Sequence, residues 1–193
     1  GSIAPVLMQL CGQNEHIVSS RMIYGGTYAF MKNFLPRFGV TTTFVDTTDL
    51  DRIREAITPQ TRVLYCEAMS NPLLEITDIR ALRAIADEFN LTLVADNTFS
   101  PMIISPLELG AHVVVHSLTK FINGTSDTTG GVVAGSKALI SSMMDVNNGA
   151  SMLLGPVLDS MRSASILKNL HSLHIRMKQH SKNAAYVAQK MQD

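Results

Sequence analysis

A lysine stands three residues after a serine and one after a threonine in the run His116-Ser117-Leu118-Thr119-Lys120, directly behind three valines, Val113, Val114 and Val115. Three consecutive β-branched residues predict a buried strand. An amine delivered past the end of such a strand, beside two short hydroxyl donors, suits imine formation with an aldehyde whose phosphate the hydroxyls grip. In that reading Lys120 bonds the aldehyde, and Ser117 and Thr119 donate to the phosphate oxygens. The same residues also describe a solvated lysine after a strand, with the serine and threonine capping a turn. The glycines and threonines that follow, up to residue 131, are too dense for ordinary helix.

Other strand ends supply further groups. Residues 91–95 are wholly apolar and lead into Asp96-Asn97-Thr98. An acid directly after a buried strand is costly unless it meets a cation or several donors. A protonated pyridine nitrogen is such a cation, and together with Lys120 this points to pyridoxal 5'-phosphate. A helix-capping or turn aspartate is the alternative at Asp96, and Asn97-Thr98 serve that equally well. Tyr24, in Tyr24-Gly25-Gly26-Thr27, offers a flat ring for stacking on the pyridine and a phenol able to relay protons; a half-buried core tyrosine is the other reading. Residues 62–66 lead to Glu67-Ala68-Met69-Ser70-Asn71-Pro72, where Asn71 suits either a donor to the cofactor's ring oxygen or an Asx turn.

Rival chemistries find less support. His171 and His174 lie three apart on a helical pattern with His180 beyond, but no cysteine or carboxylate completes a metal set, so they read as solvated. Residues 130–137 (GGVVAGSK) resemble a phosphate loop without the terminal Gly-Lys-Ser/Thr, and no Gly-x-Gly-x-x-Gly occurs. The eleven methionines sit mainly at apolar helical spacing and read as core.

These groups need a scaffold that brings strand ends together, and the chain predicts one. Strands are expected at 16–19, 41–45, 62–66, 91–95, 113–115 and 131–134. Helices are expected at 3–11, 28–38 (capped by Thr27, with Phe30, Met31, Phe34 and Leu35 on its buried face), 49–57, 78–89, 137–145, 156–170 and 173–190. In the helix at 78–89, Ile79, Leu82, Ile85, Ala86 and Phe89 share one side. Continuously apolar strands alternating with helices across short connections predict an α/β domain: a mainly parallel sheet with helices on both faces, its ligands beyond the carboxyl ends of the strands. No internal repeat or low-complexity linker divides it.

Apolar residues make up 46% of the 193, enough for a substantial core, and no apolar run is long enough to span a membrane. Sixteen basic residues balance sixteen acidic ones, which argues against nucleic acid or an anionic membrane as partner. Cys11 and Cys66 lie far apart in apolar surroundings and read as buried thiols of a cytoplasmic protein. The start at Gly1-Ser2 and the uninterrupted helical pattern to Met191-Gln192-Asp193 are read as interior positions of a longer chain.

Tyr24-Gly25-Gly26-Thr27, Ser70-Asn71-Pro72, Val94-Ala95-Asp96-Asn97-Thr98 and His116-Ser117-Leu118-Thr119-Lys120 follow one another as in the Cys/Met-metabolism enzymes. The chain resembles that pyridoxal-phosphate family of trans-sulfuration enzymes over essentially its whole length. The resemblance implies the aspartate-aminotransferase-like large domain (fold type I). It implies Lys120 as the imine-forming lysine, Asp96 as the pyridinium partner, Tyr24 stacked on the ring, Ser117 and Thr119 at the phosphate, and Asn71 near the ring hydroxyl. It also implies a sulfur amino-acid substrate and a homo-oligomer, a dimer of dimers. Within the family, residues 24–35 and 151–156 (SMLLGP) are most similar to methionine γ-lyases. Gly26 stands where bacterial members of that group carry a cysteine. Cystathionine γ-lyase, cystathionine γ-synthase and homoserine-ester sulfhydrylase are the rivals inside the family; a catalytically inert assembly module and a Rossmann-type nucleotide binder are those outside it. By the same resemblance an N-terminal arm and a C-terminal small domain are expected outside this chain.

Overall fold

The computed structural model describes residues 1–192. Its strands are β1 (His16–Ser20), β2 (Thr41–Val45), β3 (Thr61–Glu67), β4 (Thr92–Asp96), β5 (Val113–Ser117) and β6 (Gly131–Gly135). They form one sheet in the order β2-β1-β3-β4-β5-β6. The first five are parallel, and β6 returns antiparallel to β5. Strands β3, β4 and β5 reach further than expected, so Glu67, Asp96 and Ser117 are the last residues of their strands rather than the first of the following loops.

The helices are α1 (Ile3–Leu10), α2 (Gly25–Ala29), α3 (Leu50–Ala56), α4 (Ile79–Glu88), α5 (Lys137–Met143), α6 (Ala150–Leu154), α7 (Ser160–Leu170) and α8 (Leu173–Lys190). Alternate strand residues feed two separate cores, as strand pleating requires. On one face Val63, Tyr65, Val94, Val113 and Val115 pack with Val6 and Leu7 of α1, with Met31 and Leu35, and with Met143 of α5. On the other, Leu64, Cys66, Leu93, Ala95 and Val114 pack with Ile53 of α3 and with Ile79, Leu82, Ile85 and Ala86 of α4. A third, smaller cluster joins Ile122 to Ile166, Leu173 and Met177 of α7 and α8.

Several local expectations are corrected. The helix expected from residue 28 begins at Gly25: Tyr24 is its N-cap, and Thr27 is buried inside it rather than capping it. It continues as a π-helical turn, Phe30–Phe34, and a 3₁₀ turn, Leu35–Phe38. The wider π turn rotates the side chains off a strict helical stripe. Met31 and Leu35 are buried, but Phe34 is 41% exposed and lies against Phe30 and Phe38. Phe89, expected on the buried side, sits beyond the end of α4 and is 38% exposed. The helix expected from 156 starts at Ser160, because Asp159 caps it by accepting from the Arg162 N–H; the short α6 before it was not foreseen. Edge strand β2 has no fully buried residue: Thr41 and Thr43 are exposed and the rest are partly buried, because the strand has one strand neighbour. Helix α8 ends at Lys190 as expected, but Met191 and Gln192 form a turn rather than continuing the helical pattern, and Asp193 lies outside the described residues.

Candidate active site

The parallel strands β1, β3, β4 and β5 all end on the same edge of the sheet, and a cavity of about 570 Å³ opens there. Tyr24, Asn71, Asp96, Ser117, Thr119 and Lys120 all line it, together with Glu67, Thr98, Phe99, Phe121 and the start of α1 at Ser2, Ile3 and Ala4. All six residues singled out in the sequence are therefore brought to one place.

Lys120 lies in a π-helical turn, Leu118–Ile122, that continues directly from β5, and its own backbone (φ −95°, ψ −122°) breaks the helical run. Its side chain is exposed, and its amine makes no hydrogen bond or ion pair with any described residue. The Ser117 N–H donates to Thr98 Oγ1 at 2.7 Å, tying the end of β5 to the end of β4. The Thr119 hydroxyl accepts from the Gly130 N–H at 3.1 Å and is 3.4 Å from the Gly130 carbonyl. Arg176 reaches across from α8 and donates to the carbonyls of Phe121 (2.5 Å) and Ile122 (2.9 Å), anchoring the turn just behind the lysine.

Asp96 is 7% exposed. Its Oδ1 accepts from the Thr98 N–H at 2.8 Å, and the Tyr65 hydroxyl lies 3.4 Å from Oδ2. It forms no salt bridge among the described residues. Burial raises its pKa, opposed by the bonds from Thr98 and, more weakly, by His116 and Tyr65. Tyr65 is completely buried and stays protonated: burial, then the charges of Asp96 and Glu67, push its phenol well above the ordinary value.

Tyr24 is 55% exposed, and its ring lies over Gly26, where a Cβ would come within 2.6 Å of the ring. Asn71 is exposed, at the start of the turn that runs from Ser70 to Glu75. The Glu75 N–H donates to Ser70 Oγ, and the Ser70 N–H to the Glu75 carbonyl. At the start of α1 the chain passes so close to β6 that a Cβ on Gly131 would meet the Ser2 nitrogen at 2.8 Å. Only a glycine there lets the helix start reach the cavity.

Sequence reasoning passed over Glu67. It ends β3 as Asp96 ends β4, and the two are partners in register. Its Oε1 accepts from the Tyr24 N–H (2.7 Å) and its Oε2 from the Asn71 N–H (3.1 Å). Burial, ahead of the Asp96 charge, raises its pKa to about 7 against the pull of those two bonds. The strand-end rule that selected Asp96 applies equally to Glu67 and would have found it. Arg176 had no such signal, because its partners are backbone carbonyls 54 and 55 residues away.

A family model described as Cys/Met metabolism PLP-dependent enzyme matches residues 1–193. The chain is 43% identical to the methionine gamma-lyase of Arabidopsis thaliana, over 100% of this chain and 44% of that protein. It is 39% identical to the cystathionine gamma-lyase of Bacillus subtilis, over 94% and 48%. Among solved structures, the cystathionine gamma-lyase from Lactobacillus plantarum complexed with L-serine matches with a TM-score of 0.91 at 34% identity, over 97% of this chain and 49% of that one. The chain spans about half the length of the relatives it matches.

Proposed function

The chain belongs to the family of Cys/Met-metabolism PLP-dependent enzymes, and on that premise we propose that it is the cofactor-binding core of a lyase that cleaves a carbon–sulfur bond in sulfur amino acids, on the pattern of methionine γ-lyase. One observation carries the reading. Asp96 is a buried acid with no cationic partner among the described residues, and it shares its cavity with the unpaired amine of Lys120. A buried carboxylate left without a counter-charge is costly, and a protonated pyridine supplies one.

The donor set fits pyridoxal phosphate on this basis. Asp96 would pair with the ring nitrogen, and Lys120 would bond the aldehyde carbon. Ser117 Oγ, Thr119 Oγ1 and the amides at the start of α1 would hold the phosphate, which a helix N-terminus favours electrostatically. Tyr24 would cover one ring face, and Asn71 would donate to the ring oxygen. When bound, the cofactor withdraws electrons from the substrate's α-carbon.

The chain's own groups then manage protons. Lys120 Nζ would take the substrate's α-proton and continue the shuttle at the β-carbon. The Tyr24 phenol would assist as the γ-substituent leaves as a thiol. Asp96 would hold its charge against the ring nitrogen.

A second reading within the family, cystathionine cleavage, is supported by the likeness to the cystathionine gamma-lyase of Bacillus subtilis. A cytoplasmic homo-oligomer, a dimer of dimers, belongs to the same proposal. Its supports are the two buried free thiols and the exposed apolar side chains Leu153, Leu154, Val157, Met161 and Ile175 on and between α6, α7 and α8. No helix among the described residues is long and apolar enough to cross a membrane. The test is thiol release from methionine and from cystathionine by the whole protein that carries this chain. Release from neither, with cofactor loaded, would overturn the reading.

A further inference from the structure

The side chains of Tyr24 and Asn71 are exposed, and neither makes a hydrogen bond to another described residue. Their placement over the cavity therefore depends on their backbones. Tyr24 is the cap of the helical run 25–38 and lies outside it; the run is anchored in the core further along, at Thr27, Met31 and Leu35. Asn71 belongs to a turn closed on itself by bonds between Ser70 and Glu75 on either side of it and from the Leu74 N–H to the Ser70 carbonyl, none of which reaches the Tyr24 loop. The Tyr24 N–H and the Asn71 N–H meet on a single group, the carboxyl of Glu67, one on each oxygen, at 2.7 and 3.1 Å. Glu67 itself is 6% exposed on the rigid central strand β3.

We propose that Glu67 is a positioning residue: its carboxylate clamps the loop carrying Tyr24 to the turn carrying Asn71 and so fixes both ends of the cofactor's ring site. The inference rests on the reading of this cavity as the cofactor site. The choice of residue follows from the bond pattern. Two inward-pointing N–H donors need two acceptor atoms on one side chain, and only a carboxylate offers both. A glutamine of the same shape would accept from one amide and present its own N–H to the other. Aspartate is one methylene too short to reach both from β3. The titratable groups around Glu67 are Asp96 on β4, and Tyr65 and Cys66 on its own strand. Tyr24 and Lys120 line the cavity beyond. No cation pairs with Glu67 among the described residues, so the two amides are its main stabilising partners, and the burial of an acid here is explained by the loops it joins.

The experiment compares Glu67→Gln with wild type in the whole protein. Amide hydrogen exchange at Tyr24 and Asn71 is measured without cofactor, and the equilibrium binding of pyridoxal phosphate is measured separately. Loss of one charge-assisted bond should speed exchange at one or both of these amides about tenfold, while amides of β3 and β4 keep their protection. Cofactor binding should weaken by about tenfold. Unchanged exchange at both amides, or unchanged binding despite faster exchange, would overturn the inference. Should Glu67→Gln fail to fold, Glu67→Asp keeps the charge and serves instead, with faster exchange at one of the two amides expected. A wild type that takes up no pyridoxal phosphate would instead remove the cofactor reading, and the exchange data would still decide whether the clamp exists.

Discussion

Asp96 and Glu67 are neighbours in register at the ends of β4 and β3, and burial raises the pKa of both. Their surroundings give them different work. Asp96 keeps Oδ2 facing only a weak bond from Tyr65, whereas both oxygens of Glu67 are spent on backbone amides. Asp96→Asn is accordingly predicted to keep the fold, since it relieves a buried charge, yet to lose activity. Breaking a buried charge pair costs roughly 3–5 kcal/mol. If that falls on the transition state, turnover drops about a hundredfold to a few thousandfold. Steady-state kinetics beside a melting curve would check this; near wild-type turnover would contradict it. Glu67 makes a prediction about pH in the cofactor-free protein. An acid whose pKa rises from 4.5 to about 7 on folding binds more protons in the native state than in the unfolded one across that window. Its contribution is thus fully present below about 4.5 and is lost as pH rises through about 7, by roughly 3 kcal/mol in total. The buried His16 and the partly buried His112 and His116, all with pKa values lowered chiefly by burial, act in the opposite sense. The difference between wild type and Glu67→Gln isolates the acid, and urea unfolding from pH 4 to 8 should show that difference growing with pH. A difference independent of pH would count against the buried, proton-linked carboxyl.

At the scale of elements, the Lys120 turn is held from outside itself. Arg176 donates to the carbonyls of Phe121 and Ile122, and also to the Asn169 carbonyl and Ser172 Oγ, so α8 and the end of α7 are bolted to the segment that presents the lysine. A Cβ at Gly124, whose φ is +78°, would run into that guanidinium. Arg176→Met is predicted to take this partner from the Phe121 and Ile122 carbonyls and to destabilise the protein by about 1–3 kcal/mol, with faster amide exchange in residues 120–124 as the local sign. Unaltered exchange there would mean that the turn holds itself. Strand β5 was legible because burial on both faces of its first three residues leaves few types but the valines found there. The direction of β6 was not, since a short apolar strand reads the same parallel or antiparallel. The start of α2 was misplaced at Thr27 because its true cap, Tyr24, is fixed by Glu67, 43 residues away. Asp159 illustrates the reverse case: a local capping signal was present, and Pro156 drew the helix start four residues too early.

For the molecule as a whole, the alternation of strand and helix was enough to predict a mainly parallel sheet covered on both faces, because crossover connections put helices there. The same topology explains why the candidate site was legible in outline. Parallel strands deliver their final residues to one edge, so a rule about strand ends gathers Lys120, Asp96 and Asn71 without knowledge of their distances. What a rule of that kind misses are partners that act through the backbone: Glu67 on two amides, Arg176 on carbonyls. The chain covers about half the length of the relatives it matches. The claim on which the account turns is that Lys120 alone bonds the cofactor. Loading the protein with pyridoxal phosphate, reducing with borohydride and mapping the peptides should place the pyridoxyl adduct on Lys120 and on no other residue. An adduct on Lys137 or Lys168, with Lys120 unmodified, would contradict it.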